Sequence, residues 1–499
     1  MAEYDMSYIK LDRDPQPSSN RIVGIIGMVG ILLGGAIASI SVAQPLFPAL
    51  IAILIAALFF FGKDFDRAVL GLLVIRSSLD VFSEYQAPSA CAMGIIFIVI
   101  IYLIGRSISR QKIYVDGFWW FFAGWALLQG LWVILLPLGG LGLDGSFFGS
   151  AFREWLRTFS WVMGYLLVMQ LKERLSPQQV VTALFLSLVA PISAAFLQVL
   201  VPPSMLPSFL VYESGYSIEA GSRMNGTLGH PNTFATFVLM FLALTLWRVG
   251  HANRKLLWLI LLGILAFFLV SSKSLTGLIM LGAFVPAFLL PKLNLPNLIG
   301  GVVLFSLVMG LFFSSDLGRE RLDSLYGTPL LNPDIDWSRA VLLQWTDGNS
   351  FNWRIAQWVY LLRDWQDRPL FGYGLGTSGS LSIFDTLPHN DYVRFLVEQG
   401  SIGFTSFVLF IGAQFARLLQ LAHSAASGSP QRNLCFVMVA FLIAMLAGMI
   451  SGNLWNHTTM LFYWWTLMAI AGWDWTQPPQ TTEIQSPFSN SAIDRESIG

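Results

Sequence analysis

The feature that most constrains this chain is a run of about 17–22 apolar residues that recurs almost from end to end, long enough to cross a hydrocarbon layer of roughly 30 Å as a helix. Inside such a layer no water is available to backbone amides, so a spanning segment must satisfy its own hydrogen bonds, which an α-helix does. Fourteen runs can be placed, at residues 22–40, 45–62, 66–83, 88–105, 117–138, 155–171, 179–201, 232–249, 256–272, 275–291, 298–314, 401–420, 433–453 and 457–473. The short 272–275 connection leaves open a re-entrant pair in place of two full spans. The expected fold is an all-α polytopic membrane protein with about twelve to fourteen transmembrane helices. Composition agrees: 55% of the residues are hydrophobic and 12% charged, about half the roughly 25% charge of a soluble domain. With 29 basic residues against 29 acidic ones, no polyanion-binding surface and no nucleic-acid partner is expected.

Orientation follows from the short loops. Lys63 and Arg67, then Arg106, Arg110 and Lys112, then Lys172 and Arg174, then Arg248, Arg254 and Lys255, then Arg417 and Arg432 occupy every second connection. The positive-inside rule makes those connections cytoplasmic, together with both termini. The extracytoplasmic face then receives 139–154, 202–231 and the large loop 315–400. This divides the chain into a cytoplasmic tail (1–21), N-terminal spans (22–201), a core (202–420), C-terminal spans (421–473) and a disordered cytoplasmic tail (474–499). The first span ends near Ser41-Val42-Ala43, which resembles a signal-peptidase site. Its apolar core exceeds the roughly 7–15 residues of a cleaved signal, so it reads as a retained anchor.

Ionisable groups in such a chain are costly, and so are functional candidates. Arg76 and Asp80 are four apart and can neutralise each other, as a structural pair or in the wall of a polar cavity. Arg223-Met-Asn-Gly-Thr-Leu-Gly-His230-Pro231-Asn232 puts Pro231 at the first turn of a helix. The positive end of that helix dipole, with Arg223 close by, suits a phosphate, although an ordinary capped helix start gives the same pattern. Residues 352–363 carry apolar side chains at helical spacing. Gly374 to Gly379 spells G-x-G-x-x-G, but no βαβ unit surrounds it, and it reads as a flexible turn. Beyond it, Asp391 and Glu398 bracket a short helix ended by Gly400, with His389 at its start, either as polar loop surface or as a base that works near neutral pH. Asp334 and Asp336 have the spacing of a metal-holding D-x-D, a pattern that also arises by chance at Asp64 and Asp66. Trp337, Trp345, Trp353, Trp358 and Trp365 suit the membrane interface or sugar stacking, and Trp455 with His457 carries the same ambiguity.

His389, Asn390, nine residues, Gly400 and Gly403 fit the pattern H-[N/S/Q]-x9-G-x-x-G in full. This stretch, the Arg223–Asn232 block and the run Arg354…Trp358…Pro369-Leu-Phe-Gly-Tyr-Gly together resemble the O-antigen ligase superfamily, over about residues 220–415. That superfamily includes Wzy-type polysaccharide polymerases and protein O-oligosaccharyltransferases. The resemblance implies a C-type glycosyltransferase-like bundle in the inner membrane, with its active site on the extracytoplasmic face. The implied donor is a glycan on polyprenyl diphosphate. The acceptor is a lipid or glycan hydroxyl, with lipid A core favoured, and transfer proceeds with inversion, without a metal and without a cofactor. It also implies that His389 is the essential loop histidine and that Arg223 contacts the diphosphate, with His230, Asn232 and Asn390 beside them. Lys273 stands where the family often has an arginine; it keeps the charge but loses the bidentate fork, which Arg354 or Arg394 would supply instead. A polymerase joining lipid-linked repeats is the alternative, and a bicarbonate-like transporter is the alternative of another class.

Overall fold

The computed structural model describes residues 63–135, 145–212, 223–290, 295–314 and 350–476 apart from 383, together with 61, 319, 323, 326–329, 332–334, 336 and 342. All regular structure among them is helical: α1 (Phe65–Ile75), α2 (Ala87–Ile108), α3 (Gly117–Leu135), α4 (Phe148–Met169), α5 (Pro177–Leu186), α6 (Val189–Leu200), α7 (Pro231–Val249), α8 (Lys255–Ser271), α9 (Leu275–Leu289), α10 (Leu295–Ser314), α11 (Ser350–Asp367), α12 (Ser378–Leu381), α13 (Asp391–Ser424), α14 (Pro430–Gly448) and α15 (Thr458–Ala471). Among the described residues six stretches are long and apolar enough to cross a membrane: α2, α3, α5 with α6, α7, α13 and α14. The apolar helices α8, α9 and α15 are shorter. The expected runs at 22–40 and 45–62, the Ser41–Ala43 site and nearly all of the C-terminal tail lie outside the described residues.

One expected span is corrected. The run 66–83 is not a single helix: α1 stops at Ile75 and the chain continues through two 3-10 turns, Arg76–Ser78 and Asp80–Tyr85. The charged pair explains the break. Arg76 Nη1 donates to Asp80 Oδ1 at 2.7 Å, Arg76 Nη2 to Thr458 Oγ1, and Asp80 Oδ2 accepts from Thr459 Oγ1, so both ions are taken up at the start of α15. The structural reading of this pair holds. The run 179–201 also divides, at Ser187 and Leu188, into α5 and α6.

Burial follows side-chain pattern. Helices α7 and α15 are apolar all round and sit at the centre, with Phe234, Phe237, Phe241, Tyr463, Trp464 and Trp465 almost fully enclosed. Around them pack α4, α9, α13 and α14. The outer helices turn apolar side chains away from the bundle, as at Trp120 and Leu131 on α3 and Leu409 on α13, which is the surface a lipid solvent requires.

Helix α13 carries the fold's tightest joint. Its 34 residues bend at Gly400, which adopts φ 65° and ψ −171°. The preceding segment crosses the bend backbone to backbone: Tyr373 N donates to Val397 O, Gly374 N to Glu398 O, Ser401 N to Pro369 O and Ile402 N to Leu370 O. A Cβ at Gly400 would run into Leu370 O, and one at Gly372 (φ 65°) into Val397 O. The glycine-rich stretch is therefore not the flexible turn its composition suggests, because it is bonded along α13. Gly400→Ala is expected to lower the melting temperature in detergent markedly, since both the backbone region and the space admit only glycine. Gly379→Ala, whose Cβ would meet only ordinary contacts at 3.8 Å and beyond, should melt within a degree or two of the parent, because neither backbone strain nor overlap opposes it.

Candidate functional site

The helix ends that matter converge at one end of the bundle, each started by a side chain that caps it. His230 Nδ1 accepts from Asn232 N at 3.0 Å and starts α7; Ser274 Oγ accepts from Gly277 N and starts α9; Asn390 Oδ1 accepts from Tyr392 N and Val393 N and starts α13. Asn390, expected to meet substrate, has its carbonyl oxygen fully used in this cap.

Three predicted residues come together. The Arg223 guanidinium donates to Ser272 O at 3.3 Å, to Asn232 Oδ1 at 3.3 Å and to Lys273 O at 3.4 Å. Asn232 Oδ1 also accepts from Ser274 Oγ at 2.8 Å. Arg223 is thus fixed across the start of α7 and the α8–α9 turn, with Lys273 at the apex of that turn. Lys273 (φ 51°) and His389 (φ 49°) both adopt the left-handed backbone that non-glycine residues usually avoid. Such outliers are characteristic of residues held in place by their surroundings.

His389 is held from three sides. Trp358 Nε1 donates to Pro388 O at 2.6 Å, Gln357 Nε2 donates to Ser382 Oγ and Thr386 O, and the Trp353 ring packs edge-on to the imidazole at 5.4 Å between centroids. The helix expected at 352–363 is therefore α11, and three of its tryptophans are engaged within the chain: Trp353 on His389, Trp358 on Pro388 and Trp365 on Pro369 O. His389 Nδ1 lies 2.9 Å from Leu387 O. A carbonyl can only accept, so Nδ1 carries the proton and Nε2 has the lone pair. His230 is the opposite tautomer: its Nδ1 accepts from Asn232 N, which leaves Nε2–H as a donor.

The electrostatics tie these groups into one neighbourhood. Burial and the Arg354 charge push the His389 pKa down to about 4. Burial, Arg223 and His389 push His230 down to about 3, and burial, His230 and His389 do the same to His457. His230 therefore feels both Arg223 and His389, which are distant in sequence. His457, 2.8 Å from Thr236 Oγ1 through Nδ1, completes a set of three neutral imidazoles.

Arg394 belongs elsewhere, contrary to expectation. It is buried, and its guanidinium donates to Glu398 (3.1 Å), Glu154 (2.7 Å) and Asn456, with Arg157 sharing Glu154 and Asn456. All of its nitrogens are taken up inside the bundle, so it is not placed to compensate for Lys273. No local pattern reveals this cluster, since its members come from α4, α13 and the turn before α15. Asp334 and Asp336 are exposed, and among the described residues no three His, Cys, Asp or Glu side chains are grouped to hold a metal ion. Trp337 and Trp345 lie outside the described residues.

A helical membrane bundle with cations, helix N-termini and a lone-pair imidazole at one end is built to bind an anion and accept a proton. Residues 230–408 match the family model described as O-Antigen ligase. The match includes Lys273, Arg354, His389 and Arg394 and begins just after Arg223. No curated protein matches the chain. The match supports an enzyme of the ligase and polymerase type acting on glycans, and the apolar helices support a multi-pass membrane protein.

Arg394→Met should destabilise the protein by about 3–5 kcal/mol, because it strands buried carboxylates without their partner. Chemical denaturation in mild detergent would reveal this, and a variant that melts like the parent would return Arg394 to the list of substrate contacts.

Proposed function

We propose that the protein is a ligase-type glycosyltransferase of the inner membrane, moving a glycan from polyprenyl diphosphate to an acceptor hydroxyl, such as that of lipid A core, on the extracytoplasmic face. The observation that carries this reading is the pairing of a His389 imidazole whose Nε2 is free of its proton with the Arg223–His230–Lys273 group next to it. The acceptor oxygen attacks the anomeric carbon from the side opposite the diphosphate. The new C–O bond forms as the bond from C1 to the bridging oxygen of the diphosphate breaks, the electron pair leaves with that oxygen, and the hydroxyl proton passes to His389 Nε2. The sugar is already attached to a good leaving group, so the remaining tasks are alignment and neutralisation of growing negative charge. Arg223, Lys273, Arg354 and His230 Nε2–H supply the second without calling on a metal. Attack from behind the leaving group inverts the configuration.

A pKa near 4 makes His389 neutral at physiological pH but a weak base. Diphosphate brings negative charge into the same enclosure and raises that pKa, which strengthens the base once the donor is bound. For the free enzyme the working form is the neutral one, present above the pKa and lost as pH falls through it. The acid limb of kcat/KM should therefore fall near pH 4 and not near the ordinary histidine value of about 6.5.

Reconstitution with a polyprenyl-diphosphate oligosaccharide and lipid A core tests the reading. His389→Ala and Arg223→Ala should each lose transfer by about a hundredfold or more while still inserting, in the range known for a lost base or a lost anion-stabilising donor. Undiminished product from His389→Ala would remove the mechanism. A product that forms only when a second donor molecule replaces lipid A core would move the assignment to polymerase.

A further inference from the structure

We propose that the small hollow between α3, α4 and the first turns of α13 is a binding site for one ordered water molecule, which ties α3 to α13 beside its bend. The site is independent of the reaction proposed above. Its walls include Trp125 of α3, Glu154 of α4, Arg394, Glu398 and Gln399 of α13, and Trp455 from the turn before α15. The space open to the centres of water molecules is about 20 Å³. One water needs roughly 10–15 Å³ of such space, so the hollow suits a single water and nothing as large as a sugar ring.

The polar groups around the hollow decide what it holds. Trp125 is 5% and Gln399 2% exposed, yet among the described residues neither Trp125 Nε1 nor Gln399 Oε1 has a hydrogen-bond partner. An indole N–H can only donate and an amide oxygen can only accept. Leaving such groups buried and unpaired is costly. Glu398 adds a third group: it accepts from Ser378 Oγ and Arg394 Nε, both on Oε1, which leaves Oε2 for another donor. A cation here is opposed by the indole N–H and by Arg394, and an anion by the carboxylates of Glu154 and Glu398. Water can accept from Trp125 and donate to Gln399 and Glu398, and about three bonds is the usual number for a buried water. Glu398 then meets one bound molecule in place of bulk solvent.

The glycines of α13 make the arrangement possible. A Cβ at Gly403 would run into the Gln399 Cβ, lie 2.7 Å from Gln399 Oε1 and come within 3.1 Å of the Trp132 ring. Gly403 therefore gives the Gln399 amide room to lie along α13. Gln399 directly precedes Gly400, and Trp132 of α3 donates through Nε1 to Phe371 O at 2.8 Å, so α3 already touches the backbone crossing at the bend. A water shared by Trp125 and Gln399 fastens the same two helices a second time.

Two measurements on the full chain in detergent test this. Under X-ray radiolysis, bound water yields hydroxyl radicals that oxidise the side chains next to it. The reference is Trp464, which is 1% exposed and has its Nε1 bonded to Gln414. Trp125 and Trp455 should be oxidised at least about fivefold more than Trp464, and in Gln399→Met, where the water loses an acceptor, both should fall toward the Trp464 level. Equal oxidation of all three in the parent, or oxidation unchanged by Gln399→Met, would overturn the proposal. In thermal melts, Trp125→Phe and Gln399→Met should each lower the melting temperature, and the double variant should lower it by less than the sum, because both single changes lose the same bridge. Shifts that add to within about a degree would also overturn it.

Discussion

Between Pro369 and Gly374 the chain runs so close to the bend of α13 that neither strand of the crossing admits a Cβ at its nearest point. Backbone bonds close that joint from both sides of Gly400, and the rest of the candidate site is laid out from it. Upstream, the same short connection leads back into α11, whose inner face packs against Val393 and Val397 on the first turns of α13. Downstream, the bend sets the direction in which those first turns point. His389 lies immediately before them, between Trp353 and Trp358 of α11 and the Asn390 cap. A histidine in a left-handed conformation is costly on its own, by about 1–3 kcal/mol, and survives where its surroundings overdetermine it. Here the surroundings are a backbone crossing, a cap and two indoles.

The bundle sorts its charges by depth and purpose. Arg76 with Asp80, and Arg394 with Glu398 and Glu154, are buried and closed on one another, so they can be kept ionised away from water. Asn456 and His457 are adjacent residues that face different worlds: Asn456 accepts from Arg157 and Arg394, while His457 adjoins His230 and His389. The turn before α15 therefore separates the ionic cluster around Arg394 from the group of neutral imidazoles. Neutral histidines beside arginines are a sensible arrangement for a site awaiting an anion, because they avoid adding repulsion before the ligand arrives.

Much of the fold could be read from apolar run length alone, since a membrane leaves helices as the economical choice. The twelve runs that fall within the described residues all correspond to helix, and only the runs carrying Arg76 or Ser187 are interrupted. Arg223 and Asn232 were legible as neighbours because Pro231 marks a helix start between them, whereas Lys273 was legible only through the family resemblance. His389 was legible through its spacing from Gly400 and Gly403. What stayed hidden depends on contacts between distant segments. Arg394 looked available because its partners Glu154 and Asn456 are far away in sequence. The stretch around Gly374 looked loose because glycine permits both freedom and close approach, and only the position of α13 distinguishes them. The tautomers of His230 and His389 depend on which backbone group meets each Nδ1, which no pattern of residue types specifies.

The opposed tautomers carry the chemical logic furthest. Two imidazoles of identical protonation would offer a diphosphate and a hydroxyl the same kind of edge, two lone pairs or two donors. In this arrangement the helix cap of α7 consumes the His230 lone pair and leaves it an N–H, while Leu387 O consumes the His389 proton and leaves a lone pair. One ring can then only donate and the other only accept. Under the proposed reaction that is the required division, since the departing diphosphate gathers negative charge as the attacking hydroxyl gives up its proton. The assignment is fixed by backbone groups at the starts of α7 and α13, and so needs no reorganisation at the moment of transfer.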